Sequence, residues 1–214
     1  MEKITFNNVL PQVFATIGST HSDVWQNNVE FKRGKTYLVL ADSGRGKSTF
    51  CSYVCGYRSD YSGDVCFDGK PTRAYSISRW TEVRRREVSL LFQELRLFPE
   101  LTAMENVEVK NSLTQHKTRR QIEEWFERLG IADKANEKIS HMSFGQQQRV
   151  AMMRALAQPF TFLLADEPIS HLDDNNARLM HHIMMEEARS QGAAVIVTSI
   201  GKHVDINYDE TLKL

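Results

Sequence analysis

The chain has 214 residues, 41% of them apolar and 25% charged, and its 27 basic residues balance 27 acidic ones to a formal net charge of zero. This composition is typical of a globular protein and excludes a chain that is disordered throughout. Because there is no excess of positive charge, we expect no nucleic-acid partner and no direct electrostatic binding to an anionic membrane.

The sequence contains no targeting or membrane-spanning signal. It has no run of about 18 consecutive apolar residues, and its first residues lack the apolar centre of a signal peptide. We therefore expect a cytoplasmic protein. Cys51, Cys55 and Cys66 are an odd number without metal-ligand spacing, so we expect them to be reduced core residues.

The predicted elements alternate between strand and helix along most of the chain. A near-continuous apolar run at 36–41 is typical of a buried parallel strand. Apolar residues at helical spacing, such as Ile122, Trp125, Phe126 and Leu129, predict a helical segment over 99–139. In chain order we predict a strand over 24–31, a strand over 36–41, a helix over 48–56, a hairpin-like stretch with turns at Ser62-Gly63 and Asp68-Gly69, a strand over 88–92, the helical segment, a helix over 145–157, a strand over 160–165, a helix over 175–190 and a strand over 193–198. This order predicts a mainly parallel sheet that is covered on both faces.

The strongest chemical motif lies between the strand at 36–41 and the following helix. It runs Ala41, Asp42, Ser43, Gly44, Arg45, Gly46, Lys47, Ser48, Thr49. Glycines let the backbone N–H groups turn inward around phosphates, and the helix adds its positive N-terminal end. The lysine is expected to reach the β- and γ-phosphates of a nucleotide and the serine to bind Mg²⁺. Ala41 replaces the first glycine of the usual pattern and is tolerated if its φ angle is negative.

A second motif, which is acidic, follows the strand at 160–165. Asp166 and Glu167 lie at its carboxyl end, where open α/β sheets bind their ligands. We expect Asp166 to hold Mg²⁺ through water and Glu167 to polarise the attacking water as a general base.

A third motif precedes the helix at 145–157. Ser143 and Gln146 have the spacing of a capping box. Together with the two motifs above, in this order, the segment Met142-Ser143-Phe144-Gly145-Gln146 resembles the signature of the ATP-binding-cassette (ABC) ATPases, in which Phe144 replaces a glycine.

This resemblance implies one P-loop NTPase cassette of the α/β class, with a mainly parallel sheet and an N-terminal antiparallel β part. Its core is expected at 1–93 and 145–214, and an α-helical lobe is inserted at about 94–144. The resemblance implies that Ser143, Gly145 and Gln146 contact the γ-phosphate bound by a second subunit, so that a homodimer or a paired cassette encloses two ATP with Mg²⁺.

Further positions match the same family. Gln93 takes the place of the glutamine that senses Mg²⁺, and 170–173 match the loop that links the two sites. Phe14 is the best candidate for the aromatic that stacks on adenine. Trp25 is the alternative for that role, and packing in the core is the other interpretation of Phe14.

The family's switch histidine after the last core strand is missing. Ser199 or Ile200 stands at its place, and His203 follows too late to reach the site unless the loop folds back. A surface histidine is therefore the preferred interpretation of His203. Losing one polar contact to the transferred phosphate costs on the order of 10²-fold in rate. We expect ATP binding and dimerisation with slow hydrolysis.

The segment at 91–107 resembles the ATPase subunits of bacterial lipoprotein release, macrolide export and cell division. That resemblance implies a separate integral membrane permease as partner, with the chain peripheral on the cytoplasmic face of the cell membrane. Leu95, Leu97 and Phe98 are candidates for contacting the permease, and packing within the lobe is their alternative role. The alternative function is a nucleotide-sensing regulatory ABC subunit that binds ATP with little turnover.

Overall fold

The computed structural model describes residues 1–15, 21–169, 173–201 and 207–214. The strands of this part of the chain are β1 (Lys3–Pro11), β2 (Asn28–Lys32), β3 (Thr36–Leu40), β4 (Tyr61–Phe67), β5 (Lys70–Pro71), β6 (Val88–Leu91), β7 (Phe162–Asp166), β8 (Ala194–Ser199) and β9 (Glu210–Lys213). Its α-helices are α1 (Lys47–Val54), α2 (Ile77–Glu82), α3 (Ala103–Asn111), α4 (Arg119–Arg128), α5 (Phe144–Leu156) and α6 (Asp174–Ser190).

A parallel sheet forms the centre of the fold. Its strand order is β6-β7-β8-β3-β9, and every neighbouring pair in it is parallel. All residues of β7 and β8 are buried, in agreement with the apolar runs at 162–165 and 194–197 that begin the two strands. Because parallel strands end at the same edge of the sheet, the loops after β3 and β7 lie close together.

The second sheet is antiparallel and has the order β2-β1-β4-β5. It contains the predicted antiparallel β part and corrects two sequence-based predictions. Ser62-Gly63 is not a turn: it lies inside β4, and a Cβ at Gly63 would come within 2.3 Å of the Asn8 carbonyl oxygen. The strand predicted from residue 24 begins only at Asn28, since Gln26 adopts a positive φ of 59° that interrupts an extended chain.

Two apolar clusters stabilise the described residues. One joins the antiparallel sheet, α1 and one face of the parallel sheet, and aromatic rings such as Phe6, Phe31 and Phe50 fill it. The other joins the opposite face of the parallel sheet to α3, α4, α5 and α6. The sheet is therefore covered on both sides, as the alternation of elements predicted.

The helical segment between β6 and α5 has its own start signals. Thr102 and Thr118 each form a capping box, at the first residues of α3 and α4. A buried ion pair then joins this segment to the core, because Lys117 Nζ lies 2.7 Å from Glu187 Oε1 on α6. Across the described ranges, no helix combines the length and apolar character needed to span a bilayer.

Candidate functional site

The loop between β3 and α1 wraps around a lysine. The Lys47 ammonium donates hydrogen bonds to the carbonyl oxygens of Ala41 (2.9 Å) and Asp42 (3.0 Å) and is nearly fully buried. Gly46 caps α1 with a φ of 99°, a conformation that favours glycine. Ala41 does not have a positive φ, so alanine in place of the usual glycine causes no backbone strain at this position.

The acidic pair at the carboxyl end of β7 faces this loop across a short distance. Ser48 Oγ donates a 2.8 Å hydrogen bond to Asp166 Oδ2, and Lys47 Nζ lies 3.4 Å from Glu167 Oε1. Both carboxylates are buried. Glu167 has a φ of 48°, a left-handed conformation at the point where the chain leaves the strand.

Two further side chains hold the acidic pair. Gln93 Nε2 donates to Glu167 Oε2 at 3.2 Å, which brings the predicted glutamine to the same site. Thr198 Oγ1 on β8 donates to Asp166 Oδ1 at 2.5 Å and accepts from the Glu167 backbone N–H at 3.3 Å. Sequence analysis did not identify Thr198 as a site residue. Its place in the site could have been inferred only from the register of the two neighbouring parallel strands, in which Thr198 of β8 pairs with Asp166 of β7.

Lys47, Ser48, Gln93 and Glu167 open into one cleft. Its described lining comprises Val13, Phe14, Ser43, Gly44, Gly46, Lys47, Ser48, Thr49, Arg58, Gln93, Glu167 and Ile200. Asp42 and Arg45 belong to the loop but have exposed side chains outside this lining.

Phe14 and Trp25 have different positions relative to the cleft. Phe14 lines the cleft with one edge but is itself 8% exposed and belongs to the apolar cluster around α1, as its alternative core interpretation expects. Trp25 is 1% exposed, lies outside the lining, and donates its indole N–H to the Arg45 carbonyl oxygen at 3.4 Å. The position of Phe14 therefore favours it over Trp25 as the adenine-stacking candidate.

The signature segment lies at the start of α5, away from the described lining of the cleft. Ser143 caps the helix: its hydroxyl accepts from the Gln146 backbone N–H at 3.4 Å, and its own N–H donates to Gln146 Oε1 at 2.9 Å. Phe144 is the first helical residue and is 46% exposed. The helical position explains why phenylalanine fits the backbone there in place of glycine. Gly145 follows it on the first helical turn.

Only part of the predicted linking loop and switch region is described. Ser170, His171, Leu172 and His203 lie outside the described residues, whereas Asp173 caps α6 and accepts hydrogen bonds from the N–H groups of Asn175 and Asn176.

The two candidate positions for the missing histidine differ. Ser199 is buried, and its hydroxyl accepts from the Gly201 N–H at 3.1 Å. Ile200 is 52% exposed and lines the cleft. Ile200 is thus the residue that faces the nucleotide-binding region.

The three cysteines are free thiols buried in the fold. Burial raises the pKa of each thiol, to about 12 for Cys55. They are therefore protonated at neutral pH and play no part in the polar chemistry of the cleft.

Comparison with known proteins identifies the family. Residues 25–170 match the ABC transporter family. The uncharacterized ABC transporter ATP-binding protein YclH of Bacillus subtilis is 31% identical over 188 residues, covering 84% of this chain and 82% of YclH. The uncharacterized ABC transporter ATP-binding protein Rv0073 of Mycobacterium tuberculosis is 33% identical over 174 residues, which are 80% of this chain but only 53% of that protein.

Solved structures show the same similarity. The dimeric structure of MJ0796, a bacterial ABC transporter cassette, superimposes with a TM-score of 0.79 at 27% identity, covering 92% of this chain and 88% of that one. A dimeric post-hydrolysis state of MJ0796 bound to ADP and Pi gives a TM-score of 0.74 at 28% identity, covering 92% and 87%. With its P-loop, acidic strand end and helical segment arranged as described above, the chain belongs to the ABC transporter family and is an ABC ATPase.

Proposed function

We propose that this chain is the ATP-hydrolysing subunit of an ABC transporter, working at the cytoplasmic face of a membrane on a separate permease. The observation that carries the proposal is the meeting of the P-loop and the acidic pair in one cleft. Lys47 and Ser48 begin α1 directly after the loop, whereas Asp166 ends β7 and Glu167 follows it, more than a hundred residues later. The proposal also includes the division of the chain into a core and an α-helical lobe at about 94–144.

The side chains have complementary roles in this proposal. Lys47 and the N–H groups of residues 43–49 bind the β- and γ-phosphates. Glu167 accepts a proton from the water that attacks the γ-phosphate, and Gln93 holds the Glu167 carboxylate in place. Phe14 provides the ring on which adenine stacks.

The oxygen groups beside Lys47 suit Mg²⁺. Ser48 Oγ and Asp166 Oδ2 lie 2.8 Å apart, and the Gln93 side chain lines the same cleft. Hydroxyl, carboxylate and amide oxygens are the donors that this hard cation prefers. Ser48 and Gln93 would hold it directly and Asp166 through water, and a bound Mg²⁺ neutralises charge on the phosphates during transfer.

We further propose that two cassettes pair around two ATP. The N-terminal end of α5 carries Ser143, Gly145 and Gln146 and lies outside the described lining of its own chain's cleft. These residues would therefore contact a nucleotide that is bound in the cleft of a second chain. A helix N-terminus attracts the negative γ-phosphate. The dimeric structures of MJ0796 support this arrangement.

Replacing Glu167 with Gln tests the catalytic proposal. The amide cannot accept the proton, so we expect phosphate release to fall at least 10²-fold while ATP binding persists. Light scattering with Mg·ATP should then show a dimer that does not dissociate. A Glu167→Gln variant with the wild-type rate would contradict the assigned role, and Lys47→Ala serves as the control that loses ATP binding.

The proposal includes slow turnover. Ile200 places an aliphatic side chain in the cleft where the family resemblance implies a histidine, which leaves one fewer polar contact to the transferred phosphate. The same observation favours the alternative, a regulatory subunit that senses ATP. The two are separated by single-turnover kinetics, because a transport subunit hydrolyses ATP when wild type and a sensor only dimerises.

A groove between the core and the helical segment is the proposed contact for the permease. We call it the basic groove; its described lining is Cys55, Tyr57, Arg84, Val88, Ser89, Leu90, Phe92, Arg96, Phe98, Val109, Lys110, Arg154 and Ala155. Tyr57, Phe98 and Val109 are among the few large apolar side chains that are exposed in the described part of the chain. Exposed apolar residues that cluster in one groove mark a protein contact.

The three candidate residues for permease contact have different environments. Leu95 is buried in the apolar cluster of the helical segment, and Leu97 packs against that cluster. Phe98 lines the basic groove and is exposed. We therefore assign Phe98 to the permease and Leu95 to internal packing.

Charge in the basic groove points to an acidic partner segment. Its described lining includes four basic side chains and no Asp or Glu. Arg84, Lys110 and Arg154 donate to backbone carbonyl groups. Burial lowers the pKa of both Lys110 and Arg154, so a carboxylate from the permease would relieve the cost of keeping them charged.

Charge reversal tests this contact. In membranes carrying the tagged chain, we expect Lys110→Glu to release the copurifying permease, because it places a carboxylate opposite an acidic segment. Lys134→Glu, at a half-buried position of the helical segment that is not in the described lining of the groove, is the control and should retain it. Retention of the same membrane protein by Lys110→Glu and by Phe98→Asp would rule out the basic groove as the contact.

A further inference from the structure

The nucleotide cleft contains a basic side chain that belongs to none of the motifs. Arg58 lies after α1 and before β4, and with Lys47 it makes up the basic residues of the described lining. Lys47 is next to Glu167, whereas Arg58 contacts Thr49 on the first turn of α1. The two charges therefore serve different parts of the cleft.

Three contacts hold the Arg58 guanidinium in place. Nε donates to Asp60 Oδ1 at 2.9 Å, Nη2 donates to Asp60 Oδ2, and Nη1 donates to Thr49 Oγ1 at 3.2 Å. The Tyr53 ring centroid lies 5.8 Å from Cζ. A planar group fixed by a bidentate carboxylate is preorganised, so little side-chain entropy is lost when it binds a further ligand.

Hydrogen bonds connect Arg58 to two parts of the cleft. Glu167 and Lys47 mark the end where the γ-phosphate reacts, and Phe14 marks the end for the base. The Asp60 carbonyl oxygen accepts from the N–H of Gln12 at 2.9 Å, and Gln12 begins the short 3₁₀ turn that carries Phe14. Asp60 thus ties Arg58 to the segment that carries the base-end ring, while Thr49 ties it to the phosphate loop.

The donor geometry suits a phosphate oxygen. A guanidinium has five N–H groups, and the contacts above use three of them within the described part of the chain. Arginine N–H groups form short, charge-assisted hydrogen bonds with phosphate. On this geometry, and resting on the proposed nucleotide-binding function, we propose that Arg58 binds the α-phosphate of the nucleotide.

The test compares the number of phosphates on the ligand. Dissociation constants for ATP, ADP and AMP are measured by competition against a fluorescent ATP analogue, for wild type, Arg58→Gln and Lys47→Ala. We expect Arg58→Gln to weaken all three ligands by the same factor, about tenfold, because each has an α-phosphate. Lys47→Ala should weaken ATP most and AMP least. Arg58→Lys keeps the positive charge but not the planar guanidinium group, so it should lose less affinity than Arg58→Gln.

Arg120→Gln is the matched control, since Arg120 also pairs with a nearby carboxylate (Glu124, 3.1 Å) but lies on α4. Circular dichroism melting shows that each variant is folded. The inference is overturned if Arg58→Gln binds ATP as tightly as Arg120→Gln does. It is also overturned if the loss of affinity in Arg58→Gln is larger for ATP than for AMP. In both cases the proposed function stands. If the wild-type protein binds no ATP, the proposed function fails together with it.

Discussion

At the scale of single residues, the cleft is built from side chains that hold one another. Thr198 fixes Asp166, Gln93 fixes Glu167, and Lys47 connects the loop to the acidic pair. Buried carboxylates need such partners, because an unpaired buried charge is costly. Ile200 is different, since it brings no polar group to the cleft.

Ile200 should therefore be a position where activity can be gained. In Ile200→His the imidazole faces the cleft and adds a polar contact to the transferred phosphate. We expect single-turnover hydrolysis to rise by up to about 10²-fold with little change in ATP affinity. Val13→His, at another exposed apolar position of the cleft, is the control and should not be faster. An unchanged rate in Ile200→His, with loss of activity in His203→Ala, would show that His203 already supplies the contact.

At the scale of elements, predictions from sequence succeeded where the pattern was strong. The apolar runs of β3 and β7 gave correct element types, with ends shifted by one or two residues. The helical spacing correctly predicted helix within 99–139, where α4 covers only Arg119–Arg128. They failed where tertiary contacts decide: Gly63 is a turn residue by type, yet close packing against β1 keeps it in a strand. The short β9 was missed because its only buried residue is Leu212.

Recognition of the candidate site from sequence had a similar limit. The P-loop and the acidic pair are contiguous motifs, so sequence identified them. Thr198 and Arg58 are brought to the site by strand register and by the Asp60 contact, neither of which is visible in a linear pattern. Their roles follow only from three-dimensional neighbours.

Helix α6 carries two adjacent histidines in opposite environments. His181 lies among Met152, Met180 and Met184 in an apolar cavity, and His182 is exposed. Burial, aided by the positive charges of Arg189 and His182, lowers the pKa of His181 from 6.5 to about 4. The unfolded chain therefore binds a proton at a pH where the folded chain does not, and folding stability falls as the pH drops below 6.5.

Denaturant unfolding at pH 7 and pH 5 checks this titration. We expect the wild-type free energy of unfolding to drop by about 2 kcal/mol between these values through His181. His181→Met should remove most of that drop, whereas His182→Gln should leave it unchanged. An equal pH dependence in His181→Met and wild type would disprove the assignment.

At the scale of the whole molecule, two neighbouring residues of α6 join the helical segment to the core. Glu187 binds Lys117 at 2.7 Å in a largely buried pair, and Glu186 binds Arg128 at 2.6 Å on the surface. Burial alone would raise the pKa of Glu187, but contacts with His116 and Lys117 outweigh it and hold the pKa below its usual value. The carboxylate is therefore ionised in the fold and stabilises it at neutral pH.

Glu187→Gln should destabilise the protein by about 3 kcal/mol at pH 7, because it leaves the Lys117 ammonium buried without its counter-charge. Glu186→Gln is the matched control and should cost less than about 1 kcal/mol. The stabilisation by ionised Glu187 is present above its unfolded pKa of 4.5 and is lost as the pH falls through its lower folded pKa. Equal melting temperatures for the two variants at pH 7 would contradict a role for the buried pair.

Two aromatic rings pack against the glycine that precedes α1. A Cβ at Gly46 would come within 3.0 Å of the Phe14 ring and 3.2 Å of the Trp25 ring. Glycine is therefore required at this position for two reasons, its φ of 99° and the closeness of the rings. A methyl group at Gly46 would have to displace the Phe14 ring, so a change in the phosphate loop would also alter the aromatic part of the cleft.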